Sequence, residues 1–330
     1  MKRYRLPAEW EPQSGVQLTW PHAGTDWAYM LSDITATYEQ MAHEIKKRET
    51  LLVVGPPTDD TWARDHAFLT LVADDDKAEP QLLDFCFNGW GEKFAAAQDN
   101  AINRRIYDEG KVSGQYVDHL DFVLEGGSIE SDGRGTIFTT SCCLLAPHRN
   151  QPLSRDEIEQ RLKDYLHAER VVWIDHGALT GDDTDGHIDT LVRIAPDDTL
   201  LYIGCDDPAD EQYEELRRME EQLQGLRTID DRPYRLLRLP MPHPIVDENG
   251  ERLPATYANF LVVNGAVLCP TYDQPELDRQ AMCLIAQAFP GREMVGIDCR
   301  PVIRQHGSLH CCTMQYPAAV RLSPDTPKQS

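Results

Sequence analysis

Apolar residues along this 330-residue chain recur at two spacings. Positions that repeat every three to four residues predict amphipathic helices over 32–48, 91–107, 154–166, 207–223 and 274–288. The first carries Ile34, Tyr38, Met41 and Ile45 on one face, and the third opens on Ser154 with Glu157 three residues later, the pattern of a capping box. Short runs rich in β-branched and aromatic residues predict strands at 16–20, 51–54, 67–72, 82–87, 136–139, 171–174, 188–194, 200–203, 260–263 and 266–269. Asp- and Gly-rich turns such as Asp132-Gly133 and Asp197-Asp198 punctuate them. The helix starts fall 59, 63, 53 and 67 residues apart, so the chain reads as repeated units of two strands, a helix and a return strand. An α/β fold follows, and no low-complexity linker divides it, so 1–330 is expected to be one domain. The Pro-rich stretch 240–254 reads as a surface loop.

Fifty-five acidic against 32 basic residues give a formal charge of -23, which argues against nucleic acid or an anionic membrane as partner and suits a small cation. No apolar run follows Met1-Lys2-Arg3-Tyr4-Arg5, and none reaches the roughly 18 residues of a membrane span. Nine cysteines without framework spacing fit a reducing compartment, and the expected location is the cytoplasm.

Polar motifs keep step with the helices. Asp65, Glu125, His187, Asn259 and Cys311 are separated by 60, 62, 72 and 52 residues, each at or before the first strand of its unit. If the units surround an axis, these side chains share one pocket. His187 and Asp189 on one strand would project from the same face, about 7 Å apart. Three acids, an imidazole and a thiol in one pocket require a cation, because burying unpaired carboxylates costs several kcal/mol each. Zinc sites favour closely paired Cys and His ligands, which are absent here, so no metal is expected. A planar guanidinium fits better: carboxylates hold it while a Cys311 thiolate attacks its carbon, His187 protonates the leaving nitrogen and then activates water, and Trp62 stacks on the cation or its methylene stem. Taken singly, each residue has a plainer reading: Asp65 as an ion pair with Arg64, Glu125 as a turn cap, Trp62 as core. A non-catalytic binder of cationic amines would use the same acids.

The motifs Pro7-Ala8-Glu9-Trp10-Glu11-Pro12, Trp62 to Asp65, Phe87-Asn88-Gly89-Trp90-Gly91, Glu125-Gly126-Gly127, Asp183 to Asp189, Tyr257-Ala258-Asn259-Phe260 and His310-Cys311 with Thr313 resemble those of agmatine deiminases. These fall in the group that includes the Porphyromonas-type peptidylarginine deiminases of the guanidino-group modifying superfamily. The resemblance implies a five-bladed α/β propeller of ββαβ units with pseudo-fivefold symmetry, no metal and no organic cofactor. It implies Cys311 as nucleophile, ahead of Cys312, His187 as acid and base, Asp65 and Asp189 on the guanidinium, Glu125 in support, and Trp62 and Asn259 lining the pocket. Agmatine is the implied substrate, with free or peptidyl arginine as the alternative, and a homodimer is the implied assembly. Three departures bear on substrate size: the turn between Val54 and Asp60 is short where a further helix and strand are usual, Gln305 to Leu309 replaces a glycine-rich approach, and His66-Ala67 follows Asp65 in place of Gly-Pro.

Overall fold

The computed structural model describes residues 4–75 and 78–323; residues 1–3, 76–77 and 324–330 of the expected 1–330 domain lie outside the description. Five small sheets share one plan. In each, a first strand pairs antiparallel with a second, and the second pairs parallel with a third that returns through a helix. A parallel pair needs such a crossover, whereas the antiparallel pair closes through a tight turn. At Asp197 and Asp198 the turn has φ of 58° and 53°, the left-handed pair that matches the twist of a hairpin.

The sheets are Leu69–Ala73, Gln81–Cys86 and Gln115–Val123 with helix Ile102–Asp108; Ile129–Ser131, Thr136–Thr140 and Arg170–Ile174 with helix Arg155–Leu166; Val192–Ala195, Thr199–Ile203 and Arg235–Leu239 with helix Tyr213–Gly225; and Leu261–Val263, Ala266–Thr271 and Glu293–Asp298 with helix Pro275–Ala288. The fifth joins the two ends of the chain. Thr313–Pro317 pairs antiparallel with Gln13–Thr19, which pairs parallel with Thr50–Val54 after helix Leu31–Lys46. A two-residue strand, Tyr4–Arg5, adds an edge beside Leu69–Ala73.

Helix Leu31–Lys46 buries Ile34, Tyr38, Met41 and Ile45 as its period requires. The capping box at Ser154 and Glu157 is formed. Three expectations fail. The 91–107 helix is reduced to Ile102–Asp108, because Gly89, Trp90, Gly91 and Glu92 all take positive φ and form a left-handed turn. The 207–223 helix begins only at Tyr213, since the Asp207 and Asp210 carboxylates accept from the amides of Ala209 and Gln212 and hold the preceding residues in turns. Residues 188–190 are a 3-10 turn, and the strand starts at Val192, so His187 and Asp189 do not share a strand face. The short turn after Val54 deletes nothing from its sheet, which has all three strands and its helix. Among the described residues no helix is long and apolar enough to cross a membrane, and all nine cysteines are free.

Candidate active site

The five first strands receive the chain from five short irregular segments, and each segment carries one of the predicted polar residues. Asp65 lies in the helical turn Ala63–His66, Glu125 precedes the turn Gly126–Ser128, His187 and Asp189 flank and occupy Ile188–Thr190, Asn259 precedes Leu261, and Cys311 lies in His310–Cys312. All six side chains are at least 96% buried. An unpaired polar group is costly there, so each contact carries weight.

Gly127 marks the point of convergence. A Cβ on it would lie 2.7 Å from His187 Nδ1, 2.8 Å from Asp65 Oδ1 and 3.1 Å from Asp189 Oδ2, so only glycine allows these three groups to meet. The Gly127 amide donates to Asp65 Oδ1 at 3.0 Å, and the Trp90 indole donates to Asp65 Oδ2 at 3.0 Å. The left-handed turn at 89–92 is what aims that indole. Cys311 Sγ stands 3.7 Å from Asp189 Oδ2. Asn259 Oδ1 accepts from the amides of His310 and Cys311 at 2.8 and 3.3 Å, so it holds the backbone at Cys311 and has no place in the cleft lining.

Electrostatics separate the two aspartates. Burial, with Asp189 and Glu125 nearby, drives the Asp65 carboxyl well above the usual range. Burial also acts on Asp189, but the hydrogen bond and charge of His310 outweigh it and bring Asp189 below the usual range. Burial pushes the Cys311 thiol far up, helped by Asp189 and Asp65, and lowers His187 to about 3. In the free protein the pair is therefore a neutral thiol and a neutral imidazole. Both ring nitrogens of His187, Asp189 Oδ1 and Glu125 Oε2 are buried without a hydrogen-bond partner among the described residues.

Glu125 does not stand alone. Its Oε1 accepts from Arg149 Nε at 2.9 Å, with both side chains fully buried, and Arg149 also binds Asp185 Oδ2 and the Thr184 carbonyl. Arg64, a plausible partner for Asp65 from sequence, turns away to Glu9 and Gln315. Sequence reasoning assigned no role to Arg149, Trp90, Glu9 or His310; the last three lay within recognised motifs, and Arg149 carried no local signal.

A cleft of about 430 Å³ leads to Cys311. Its walls are Trp62, Trp90 and Phe94, its acids Asp26, Asp60, Asp65 and Asp183. Trp62 is pinned by a hydrogen bond from its indole to Asp60 Oδ2 at 3.0 Å and is covered by Gly307, where a Cβ would fall 2.2 Å from the ring.

Comparison with known proteins agrees with this geometry. Residues 5–317 match the family model of Porphyromonas-type peptidyl-arginine deiminase. A solved Porphyromonas gingivalis protein, described provisionally as an arginine deiminase, is 48% identical with a TM-score of 0.91, covering 96% of this chain and 99% of that one. Agmatine deiminase from C. jejuni, solved with substrate bound, is 33% identical with a TM-score of 0.88 over 96% of each chain. The agmatine deiminase of Pseudomonas aeruginosa is 31% identical over 96% of each. The chain belongs to the Porphyromonas-type peptidyl-arginine deiminase family.

Proposed function

We propose that this protein hydrolyses agmatine to N-carbamoylputrescine and ammonia. The observation that carries the reading is the convergence of Asp65, Asp189 and His187 beside Cys311, where Asp189 Oδ1 and both His187 nitrogens are buried without a hydrogen-bond partner among the described residues. A guanidinium offers five N–H donors and a permanent charge to such a set. Its arrival changes the nucleophile: a cation between Asp65 and Asp189 offsets the field that keeps Cys311 protonated, and the thiol proton passes to His187. The thiolate adds to the guanidinium carbon, and His187 returns that proton to the leaving NH₂, releasing ammonia and an S-linked thiouronium. Water then gives one proton to His187 and its hydroxyl to the same carbon; the C–S bond breaks as the hydroxyl proton passes to the sulfur, restoring the thiol and leaving a ureido product, and His187 releases its proton to solvent, where ammonia takes it up as ammonium. Glu125, anchored by Arg149, supports His187, and Asn259 positions the Cys311 backbone.

The cleft favours agmatine over arginine. Among the described residues its lining includes Asp26, Asp60 and Asp183 and no lysine or arginine, which suits a distal ammonium and would repel an α-carboxylate. Lys93 is tied to Asp185 and the Asp183 carbonyl, while Arg64 and Arg193 are held by Glu9. The 48% identity to the P. gingivalis protein keeps arginine as the second reading. The reading takes the described chain as one catalytic domain, a five-bladed α/β propeller with its five first strands around the axis, working in the cytoplasm without metal or organic cofactor, in keeping with its free thiols.

Ammonia release from agmatine, arginine and a blocked arginyl peptide, with Cys311→Ala as control, tests it. Turnover of agmatine alone, lost in the variant, is expected. Affinity for agmatine without ammonia from any of the three would make the protein a binder of cationic amines and end the catalytic reading.

A further inference from the structure

A carboxylate that grips a guanidinium must itself be held. Asp189 Oδ2 accepts from His310 Nδ1 at 2.7 Å, and His310 Nε2 faces Glu9 Oε1 at 2.7 Å. The line Glu9, His310, Asp189 ends at a carboxylate whose Oδ2 also meets the Cys311 thiol at 3.7 Å and whose Oδ1 is buried and unpartnered among the described residues. Neither Glu9 nor His310 lines the substrate cleft. Glu9 comes from the loop ahead of Gln13–Thr19 and opens on a second cleft of about 600 Å³, lined also by Arg64, Glu130 and Gln315.

Charged groups surround this line on every side. Glu9 meets Arg193 Nη2 at 2.6 Å and Arg64 Nη1 at 3.1 Å. Arg193 Nη2 also stands 3.0 Å from His310 Nε2, and its Nε donates to Glu130 Oε1 at 2.5 Å. Asp189 faces His310, His187 and Arg193 on one hand and Asp65 and the Cys311 thiol on the other. Arg193 and Arg64 bracket Glu9 and hold it as a carboxylate. The His310 ring lies between the two carboxylates, its Nδ1 donating to Asp189 Oδ2 and its Nε2 against Glu9 Oε1 and Arg193 Nη2, so its position is fixed from both sides.

We infer that Glu9 and His310 are positioning residues for Asp189: they keep it ionised and turn its free oxygen to the substrate cation. The deiminase reading supplies the identity of that cation. The inference itself needs only that Asp189 recognises a planar cation beside Cys311.

The test is the rate at which Cys311 is alkylated by 2-chloroacetamidine, a planar cation, and by its neutral counterpart 2-chloroacetamide, followed on the Cys311 peptide by mass spectrometry from pH 5 to 9. The full-length chain is compared with Glu9→Gln, Glu9→Asp and His310→Gln. We expect amidine labelling to fall about tenfold in Glu9→Gln and further in His310→Gln, the size of one lost hydrogen bond to a charged group. Chloroacetamide labelling should hold or rise, since an Asp189 that loses its charge no longer helps to keep the thiol protonated. Asp189 loses its charge at higher pH once His310 no longer supports it, so the acid limb of amidine labelling should move upward in pH. Glu9→Asp should restore most of the rate. Should His310→Gln fail to fold, Glu9→Gln carries the test, since the Glu9 side chain is 21% exposed at the second cleft. Equal slowing of both reagents, or an unchanged amidine preference and pH profile, would overturn the inference. A wild-type protein that shows the amidine preference, with loss of it in the variants, yet releases no ammonia from agmatine would support the positioning role and remove the deiminase reading.

Discussion

Two sets of buried carboxylates meet in this molecule, and they are handled in opposite ways. Glu125, Glu130 and Glu9 each contact an arginine, Arg149 for the first and Arg193 for the other two. Asp65 and Asp189 meet no arginine side chain in a hydrogen bond or ion pair among the described residues; their contacts are Trp90, Gly127 and His187 for the first and His310 and the Cys311 thiol for the second, which retains one bare oxygen. The pairs of the first set are structural: an arginine offsets the charge inside the chain, ties distant segments together and fixes where Glu125 and Glu9 stand. The second leaves its charge for a ligand. The distinction lies in which carboxylates are denied an arginine, since residue type alone does not separate the sets.

The comparison is sharpened most by removing what it serves. Cys311→Ala should abolish ammonia release from agmatine, by more than about 10⁴-fold, while agmatine still binds in calorimetry. Next, Asp189→Asn should lower kcat/KM by about 10³-fold and Asp65→Asn by about tenfold. The second is milder because Asp65 is driven toward its neutral form, which Asn resembles. Equal losses in steady-state kinetics would contradict the division of labour between them.

In the structural set, Arg149→Met should cost about 3–5 kcal/mol in urea unfolding, because it strands the Glu125 charge. A loss of activity at full stability would move Arg149 to the other set.

Asp60 tests the cleft mouth. Burial raises its carboxyl to about 6. A group raised in the folded state stabilises fully below its unfolded value, near 4, and that contribution is lost as pH rises through 6. Thermal melts without ligand should therefore show Asp60→Asn gaining on wild type by on the order of 2 kcal/mol between pH 4 and 7. Agmatine should narrow the gap.

The smallest effect is expected at Cys312. Its thiol contacts the Ser308 carbonyl at 3.4 Å, away from the cleft lining. Cys312→Ala should change turnover by less than about twofold and cost about 1 kcal/mol of stability.

How much of this was legible varies with the physics of each element. Helices Leu31–Lys46, Arg155–Leu166 and Pro275–Ala288 were readable because each packs one stripe inward and exposes the other. The return strands Gln115–Val123, Arg235–Leu239 and Glu293–Asp298 were missed, because they are half-exposed and rich in polar residues, which dilutes the alternating pattern. The turn at 89–92 was misread because positive φ at Trp90 and Glu92 has no periodic signature.

By itself the sequence pointed to a repeat of α/β units, with three of the five return strands unread, and to five polar motifs at its period, those of Asp65, Glu125, His187, Asn259 and Cys311. Those follow from local propensity and from spacing along the chain. The tertiary structure alone decided which acids are neutralised. Arg149 reaches Glu125 across 24 residues, Arg193 reaches Glu9 across 184, and His310 reaches Asp189 across 121. The charge state of a buried carboxylate depends on whatever lies within a few ångströms of it. Partners brought together from such separations leave no pattern in the chain.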